Sequence, residues 1–413
     1  VSCHRHYYVL YYNKAANKKL FKKEKESYME FIVDVARVQE AVKNIGIIAK
    51  INTTDTAGRI LIKTNEDNSV IFLANNDINA ITVVIDNVQI VDRGEVSVLF
   101  SKIKNFIGSF VAWNEEFGAK EFKFRTVNNK LNIKVDNVFK DKRKSKGSLT
   151  LETYPAVMMV LPKPFKDTTF ILNSDTVKSA INKVVYAINN TELRTHLQGL
   201  CLSFDEDSIH FAGTDGLLLS DYRINNTSTI KKGKFVFKYD FIMALRRAIA
   251  NDVQVFFEIK ERSVCVKFDN ICIYGALVIG QDYPEYKPLF EKFEYVVELN
   301  KEIMLSGLVS VLGNLVSDDN NRITITINNK QFKFFNDYVE YVYEDVVNFD
   351  GDFVVDINGI FLKQTLDAIT DDRIMFKFTD DKNWLIFDSA TNQDQKSLIT
   401  YIKRREVDSN NDD

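Results

Sequence analysis

The sequence predicts an α+β chain made of three tandem copies of one domain, each with two helices packed on antiparallel sheet. Three observations predict it. First, three segments open alike: EFIVDVARVQEAVKNIG from Glu30, TFILNSDTVKSAINKVV from Thr169 and EYVVELNKEIMLSGLVS from Glu294. Second, each copy repeats a glycine, a short strand and a helix further on: GEVSVLFSKIKNFIGSF from Gly94, GKFVFKYDFIMALRRAI from Gly233 and GDFVVDINGIFLKQTLDAI from Gly351. Third, the prolines fall in two clusters, Pro155, Pro162 and Pro164, then Pro284 and Pro288. Proline interrupts both helix and sheet, so two clusters mark two junctions between three domains.

Each opening segment reads as a strand, a polar capping residue and a helix. Asp34 can cap the first helix, whose Val38, Val42 and Ile45 share a face. In the second, Asn173 or Ser174 can cap, and Val177, Ile181, Val184 and Ile188 align. Asn300 can cap the third, with Leu308, Val311 and Leu315 aligned. A short polar side chain at this position accepts the helix's unpaired first N–H groups, and apolar residues three to four apart form one buried stripe. Gly94 stands as far past Phe31 as Gly233 does past Phe170, and Gly351 falls a little nearer to Tyr295. Between the helices the chain alternates apolar and polar residues, as in RITITI from Arg322 and QVFFEI from Gln254, the period of half-buried strands. The boundaries expected are 29–165, 166–290 and 291–407. A basic leader at 1–28 precedes them and an acidic tail at 408–413 follows. Met29 is the expected start of the functional chain, with the tyrosine-rich leader as an upstream extension.

Bulk properties narrow the function. Over 413 residues the net charge is only −3, so any nucleic-acid site must come from local placement of Lys and Arg. No apolar run approaches the roughly 20 residues of a membrane-spanning helix. Four cysteines are too few and scattered for a disulfide framework. Around the turn Asp269-Asn270, Cys265 should face Tyr274 and Cys272 should face Lys267, out of register for a bridge. Reduced thiols in a reducing compartment follow.

No catalytic constellation is legible. His4 and His6 sit in the leader, and His196 and His210 fall on strand-like segments without acidic or Cys partners at metal-ligand spacing. There is no glycine-rich phosphate loop and no nucleophile elbow. Asp318-Asp319 reads as a solvated loop. The remaining enzymatic reading is a metal-dependent nuclease using Asp215 and Asp221, six residues apart but separated by the turn Thr214-Asp215-Gly216. A third reading, a repeated adhesion or assembly protein, lacks repeated aromatic or polar surface motifs.

The middle copy carries the most specific motifs. TELRTHLQGLCLSF from Thr191, HFAGTDGLLLSDYRI from His210, QDYPEYKPLF from Gln281 and the late strand SLITYIKRR resemble, in order and spacing, motifs of the bacterial DNA polymerase III beta subunit, the DNA sliding clamp. The resemblance spans Met29 to about Val407. It implies the DNA clamp fold and a non-catalytic accessory subunit without cofactor or metal. Two chains would close head to tail into a ring around duplex DNA. The ring would serve the DNA polymerase catalytic subunit, the clamp loader and other replication or repair proteins, with no membrane partner. The setting implied is cytoplasmic and nucleoid-associated, or host cytoplasm for a phage version.

The ring's inner helices would present cations to phosphates without reading sequence. The candidates are Lys43, Lys50, Lys102, Lys104, Lys178, Lys183, Arg246, Arg247, Lys301 and Lys363. The alternative for each is an ordinary solvated helix face. The family also docks partner peptides in an apolar cleft. Position by position it maps to Leu197, Thr214, Gly216, Leu217, Leu218, Leu219, Pro284, Leu289 and Ile402, with Arg194 at its border. Two departures stand out. Leu217-Leu218 replaces the family's His-Arg, and Lys403-Arg404-Arg405 replaces an apolar end, which favours a more acidic peptide. Both point to a divergent or phage-borne version. The plain alternative for Leu217 to Leu219 is a buried strand.

Overall fold

The computed structural model describes residues 28–402, apart from 52, 77, 160, 281, 316–320, 329, 345–348, 350, 380–382 and 392–393. The leader with Cys3, His4 and His6, the Asp318-Asp319 pair, Lys403-Arg404-Arg405 and the tail at 408–413 lie outside the described residues. The chain divides into two compact units, residues 1–74 with 83–160, and residues 75–82 with 161–413.

In the first unit, strand Glu30–Asp34 runs straight into helix α1, Val35–Ile45. Asp34 caps it by accepting the Arg37 N–H at 3.1 Å. The buried stripe is Val35, Val38, Ala41, Val42 and Ile45. Helix α2, Phe100–Gly108, buries Phe100, Ile103 and Ile107. The Gln39 side-chain amide of α1 donates to the Ile107 and Phe110 carbonyls at 3.0 and 2.7 Å, tying the two helices together. A five-stranded antiparallel sheet runs Gln89–Asp92, Glu30–Asp34, Gly118–Val127, Lys130–Val138, Lys144–Glu152. Phe31 and Phe124 stack across it with ring centroids 4.6 Å apart. Arg59–Thr64 pairs with Val70–Asn75 on one side and Glu95–Leu99 on the other.

The second unit holds the other two repeats. Strand Phe170–Asn173 leads into α3, Ser174–Val184, and Asn173, not Ser174, supplies the cap, accepting the Asp175 N–H at 2.8 Å. Helix α4 is Tyr239–Ala248. Helix α5, Lys301–Leu312, is capped by Asn300, and α6, Gly359–Ala368, by Asn358. The expected apolar positions Val177, Ile181, Val184, Leu308 and Val311 are buried on their helices; Ile188 is buried beyond the end of α3.

One eight-stranded antiparallel sheet carries strands of both repeats. Its order is Gly233–Lys238, Gly199–Phe204, Ser208–Thr214, Leu218–Asn225, Gln395–Thr400, Trp384–Ser389, Arg373–Phe378, Tyr295–Asn300. Leu219 faces Leu398 at the central seam, where the two repeats meet edge to edge. Ser263–Phe268 pairs with Ile271–Ala276 across the Asp269-Asn270 turn, and the register is Cys265 to Tyr274 and Lys267 to Cys272, as the sequence predicts. Cys201, Cys265 and Cys272 are free thiols.

Candidate functional site

The turn between strands Ser208–Thr214 and Leu218–Asn225 is closed by its own side chains. Asp215 Oδ1 accepts the N–H groups of Leu217 and Leu218, both at 2.8 Å. Thr214 Oγ1 donates to the Leu218 carbonyl at 2.7 Å and accepts the Gly216 N–H at 3.0 Å. Gly216 has φ +89°, a region that glycine enters without a side-chain clash. Asp215 is therefore a turn-forming carboxylate.

The leucines that follow divide by face. Leu217 is 56% exposed at the rim, whereas Leu218 and Leu219 are 1% and 4% exposed. Strand alternation sends their side chains to opposite sides of the sheet. Leu218 joins a core with Val297, Met304 and Leu308. Leu219 joins another with Leu197, Cys201, Tyr286 and Leu398.

A cavity of about 270 Å³ opens beside this turn. Nine of the ten expected residues line it: Arg194, Leu197, Thr214, Gly216, Leu217, Leu218, Leu219, Pro284 and Leu289. Ile402 is not among the residues that line it. The final strand ends at Thr400, and beyond it the Ile402 N–H turns to the Asp356 carbonyl at 2.8 Å. The wall is made instead by Leu398, Thr400 and Trp384, with His196, Glu285 and Tyr286 completing the lining. Alternation along SLITY could have nominated Leu398; nothing local to the sequence marks Trp384.

Charge at the mouth is internally paired. Arg194 Nε meets Glu192 at 2.8 Å while its Nη2 donates to the Asp215 carbonyl at 2.7 Å. The hydrogen bond from Arg194 holds the Glu192 carboxyl below its usual range. Glu285 is similarly lowered by the Lys234 ammonium that bonds it.

Beneath the cavity lies a polar chain the sequence did not reveal. Tyr286 donates to Asp221 Oδ1 at 2.8 Å, and His210 Nδ1 lies 2.8 Å from Asp221 Oδ2. Asp205 stands 3.4 Å from His210 Nε2. His210 thus has acidic partners in space, contrary to the sequence reading, because antiparallel pairing brings together residues eleven apart in the chain. His196 lies in a 3-10 turn, Thr195–Leu197, not on a strand. No group of three or more His, Cys, Asp or Glu able to hold a metal occurs among the described residues. Asp215 and Asp221, the pair of the nuclease reading, are committed separately to the turn and to this buried chain, and nothing supports that reading.

The ten candidate cations sort into two kinds, and Lys50 lies beyond the end of α1 rather than on a helix. Lys43, Lys50, Lys102 and Lys104 in the first unit, and Arg246 and Arg247 in the last turn of α4, are exposed. The other four are engaged. Lys178 bonds the Asn251 side chain. Lys183 is half-buried with its ammonium 4.3 Å from the Tyr222 ring centre, and burial lowers its pKa against the pull of Asp394 and Asp371. Lys301 donates to the Ile369 carbonyl at 2.8 Å, and Lys363 pairs with Asp367 at 2.6 Å. No helix among the described residues is long and apolar enough to cross a membrane.

Comparison with known proteins agrees with this geometry. Residues 171–285 match the family described as DNA polymerase III beta subunit, central domain. The beta sliding clamp of Buchnera aphidicola is 23% identical over 241 residues, covering 57% of this chain and 65% of that protein, a little under two thirds of its length. The beta sliding clamp of Chlamydia muridarum is 20% identical over 286 residues, 68% of this chain and 74% of that protein. Among solved structures, the DNA polymerase sliding clamp of Bacillus subtilis superposes with a TM-score of 0.81 at 16% identity, over 92% of this chain and 100% of its own. The DNA polymerase III subunit beta of Pseudomonas aeruginosa gives 0.80 at 15%, over 91% and 100%. The fold is the DNA clamp fold, and residues 171–285 are similar to the central domain of the DNA polymerase III beta subunit.

Proposed function

We propose that this chain is a DNA sliding clamp. Two copies close head to tail into a ring that encircles duplex DNA and tethers the DNA polymerase catalytic subunit as a processivity factor, with no catalytic step of its own. Heterologous contacts whose rotation completes a circle give such a closed dimer. The chain is organised as three domains, 29–165, 166–290 and 291–407. The clamp loader and other replication or repair proteins share the apolar cleft beside Leu217, and the setting is the cytoplasm around the nucleoid.

The observation that carries this reading is the convergence of nine expected residues on one small apolar cavity, in a chain folded like clamps over nearly its full length. An apolar pocket with a few polar edges suits the anchor side chains of a short peptide. On the DNA side, the exposed cations Lys43, Lys50, Lys102, Lys104, Arg246 and Arg247 supply mobile phosphate contacts. The tethered Lys178, Lys183, Lys301 and Lys363 contribute less.

The test is topological. Loaded onto nicked circular DNA, the protein is retained through gel filtration and is released when the circle is linearised. Reversing Arg246 and Arg247 to Glu weakens retention without changing the melting temperature by more than about 2 °C, as expected for exposed positions. Equal retention on circular and linear DNA overturns the reading, and unchanged retention in the variant removes these two arginines from it.

A further inference from the structure

One wall of the cavity beside Leu217 is attached by side chains. Pro284, Glu285, Tyr286 and Leu289 form it, on the connection that leads into the 3-10 turn Lys287–Glu291. Among the described residues, no backbone hydrogen bond joins 282–288 to the sheet beneath. The Leu289 N–H bonds the Tyr286 carbonyl at 3.0 Å, which is internal to the turn. Three consecutive side chains make the attachment instead. Glu285 pairs with Lys234, Tyr286 donates to Asp221 Oδ1, and Lys287 donates to Asp205 Oδ2 at 2.5 Å. The walls at Leu219 and Leu398, by contrast, are strands held by their own ladder.

His210 joins two of these attachments. Its Nδ1 lies 2.8 Å from Asp221 Oδ2, and its Nε2 lies 3.4 Å from Asp205 Oδ2 and 3.1 Å from Ser208 Oγ. An ionised carboxylate only accepts, so Nδ1 carries a hydrogen and donates it to Asp221. With Tyr286 and His210 both donating, each Asp221 oxygen has a partner. Burial and the facing Asp221 charge hold the Tyr286 phenol well above its usual range, which keeps it a donor. Against the upward pull of burial, Lys287 and His210 hold the Asp205 carboxyl below its usual range. The imidazole is 12% exposed and the Asp221 side chain 7%, while Asp205 is 52% exposed. The link is therefore shielded from water at its centre and open at its Asp205 end. Of the four histidines, His4, His6, His196 and His210, none falls in the outer repeats at 29–165 and 291–407. Packing in this fold does not call for an imidazole between strands. His210 occurs in the repeat that bears the cavity, behind the wall that lacks backbone support.

We infer, on the peptide-cleft reading proposed above, that His210 is a positioning residue for the cleft: by holding Asp221 and Asp205 it fixes Tyr286 and Lys287, and with them the wall that a partner's apolar anchor meets. His210 touches no ligand and acts through the two carboxylates. Without its ring, a buried Asp221 oxygen loses its donor and the carboxylate turns toward water, drawing the Tyr286 hydroxyl with it. A wall that must be ordered during binding costs affinity, whereas one already in place does not. A fully satisfied polar chain also holds one geometry, which apolar contact alone specifies less sharply.

The experiment uses the full chain carrying Trp113→Phe, so that Trp384 in the cavity lining is the one remaining tryptophan. Acrylamide quenching of Trp384 reports the wall without a ligand. Fluorescence polarisation of a fluorescein-labelled peptide, Ser-Asp-Leu-Leu-Phe-Asp-Ser, reports the cleft. Both are read at a temperature where circular dichroism shows every variant folded. His210→Leu removes both ring nitrogens at similar volume; it should weaken peptide binding about tenfold and raise the quenching constant about twofold. His210→Asn keeps a donor for Asp221 and should restore most of the affinity and the parent quenching. Asp205→Ala breaks the chain at its exposed end, where folding is not at risk, and should weaken binding about threefold. Leu217→Asp, at the exposed rim, tests the cleft itself and should abolish binding. If it does, while His210→Leu and Asp205→Ala bind like the parent, the positioning role is overturned and the cleft stands. Equal loss of affinity in His210→Leu and His210→Asn with unchanged quenching also overturns it, since the imidazole then serves stability alone. No binding by the parent chain, or binding that Leu217→Asp leaves intact, removes the cleft reading and the positioning role with it.

Discussion

Tyr286 donates its phenolic hydrogen to Asp221 Oδ1 at 2.8 Å beneath the apolar cavity, joining residues 65 apart in sequence. Both are nearly fully buried, and the other carboxylate oxygen meets His210. Removing the hydroxyl leaves a buried carboxylate oxygen without its donor, which costs about 1–3 kcal/mol. Tyr286→Phe should therefore lower unfolding free energy by that amount in urea titrations while leaving the cleft's apolar lining in place. An unchanged urea midpoint would show that the hydrogen bond contributes nothing net.

The turn at Gly216 makes a sharper prediction. A Cβ on Gly216 would run into the Arg194 guanidinium, and the backbone stands at φ +89°. Holding a non-glycine residue in such a region costs about 1–3 kcal/mol. Gly216→Ala should destabilise by that much and release Arg194 from the Asp215 carbonyl. Part of the cost is steric, so the same substitution should be milder in an Arg194→Ala background. Thermal melts of the two single variants and the double variant measure this coupling. Strict additivity would mean that Arg194 does not crowd the turn.

What was legible in the sequence was what is decided locally. Asp34, Asn173 and Asn300 each accept an N–H from the helix that follows within three residues, so the caps could be read directly. The Cys265 to Tyr274 register followed from a two-residue turn, where Asp269 takes φ +45°. The cleft was recognised through motif resemblance, because Leu197, Leu217 and Pro284 meet only when distant strands pair. Trp384 stayed hidden since its place depends on the seam between Leu219 and Leu398. Helical spacing put Lys183 and Lys301 on polar faces but could not show the Tyr222 ring or the Ile369 carbonyl that holds them.

The floor of the cleft should fail at alkaline pH. Burial pushes the Cys201 thiol from its ordinary 9.0 up to about 12, and it pushes the Tyr283 and Tyr286 phenols well above their ordinary 10.0. All three belong to one core cluster with Leu197 and Leu219. Each group is neutral when protonated, and the folded state holds its proton more tightly than the unfolded chain. Their contribution to stability is complete below the unfolded values and is lost as pH rises toward the folded ones. Cys201 begins to withdraw stability near pH 9, by about 1.4 kcal/mol per pH unit, and the tyrosines follow above pH 10. Urea midpoints should therefore be level from pH 7 to about 8.5 and fall increasingly steeply above pH 9. Cys201→Ala removes the first of these protons, so its curve should start lower from the lost packing yet stay flatter between pH 9 and 10. Iodoacetamide should leave Cys201 unmodified until the protein unfolds, since a buried neutral thiol is a poor nucleophile. Parallel curves for the wild-type and Cys201→Ala chains would exclude the thiol as the source of the alkaline loss.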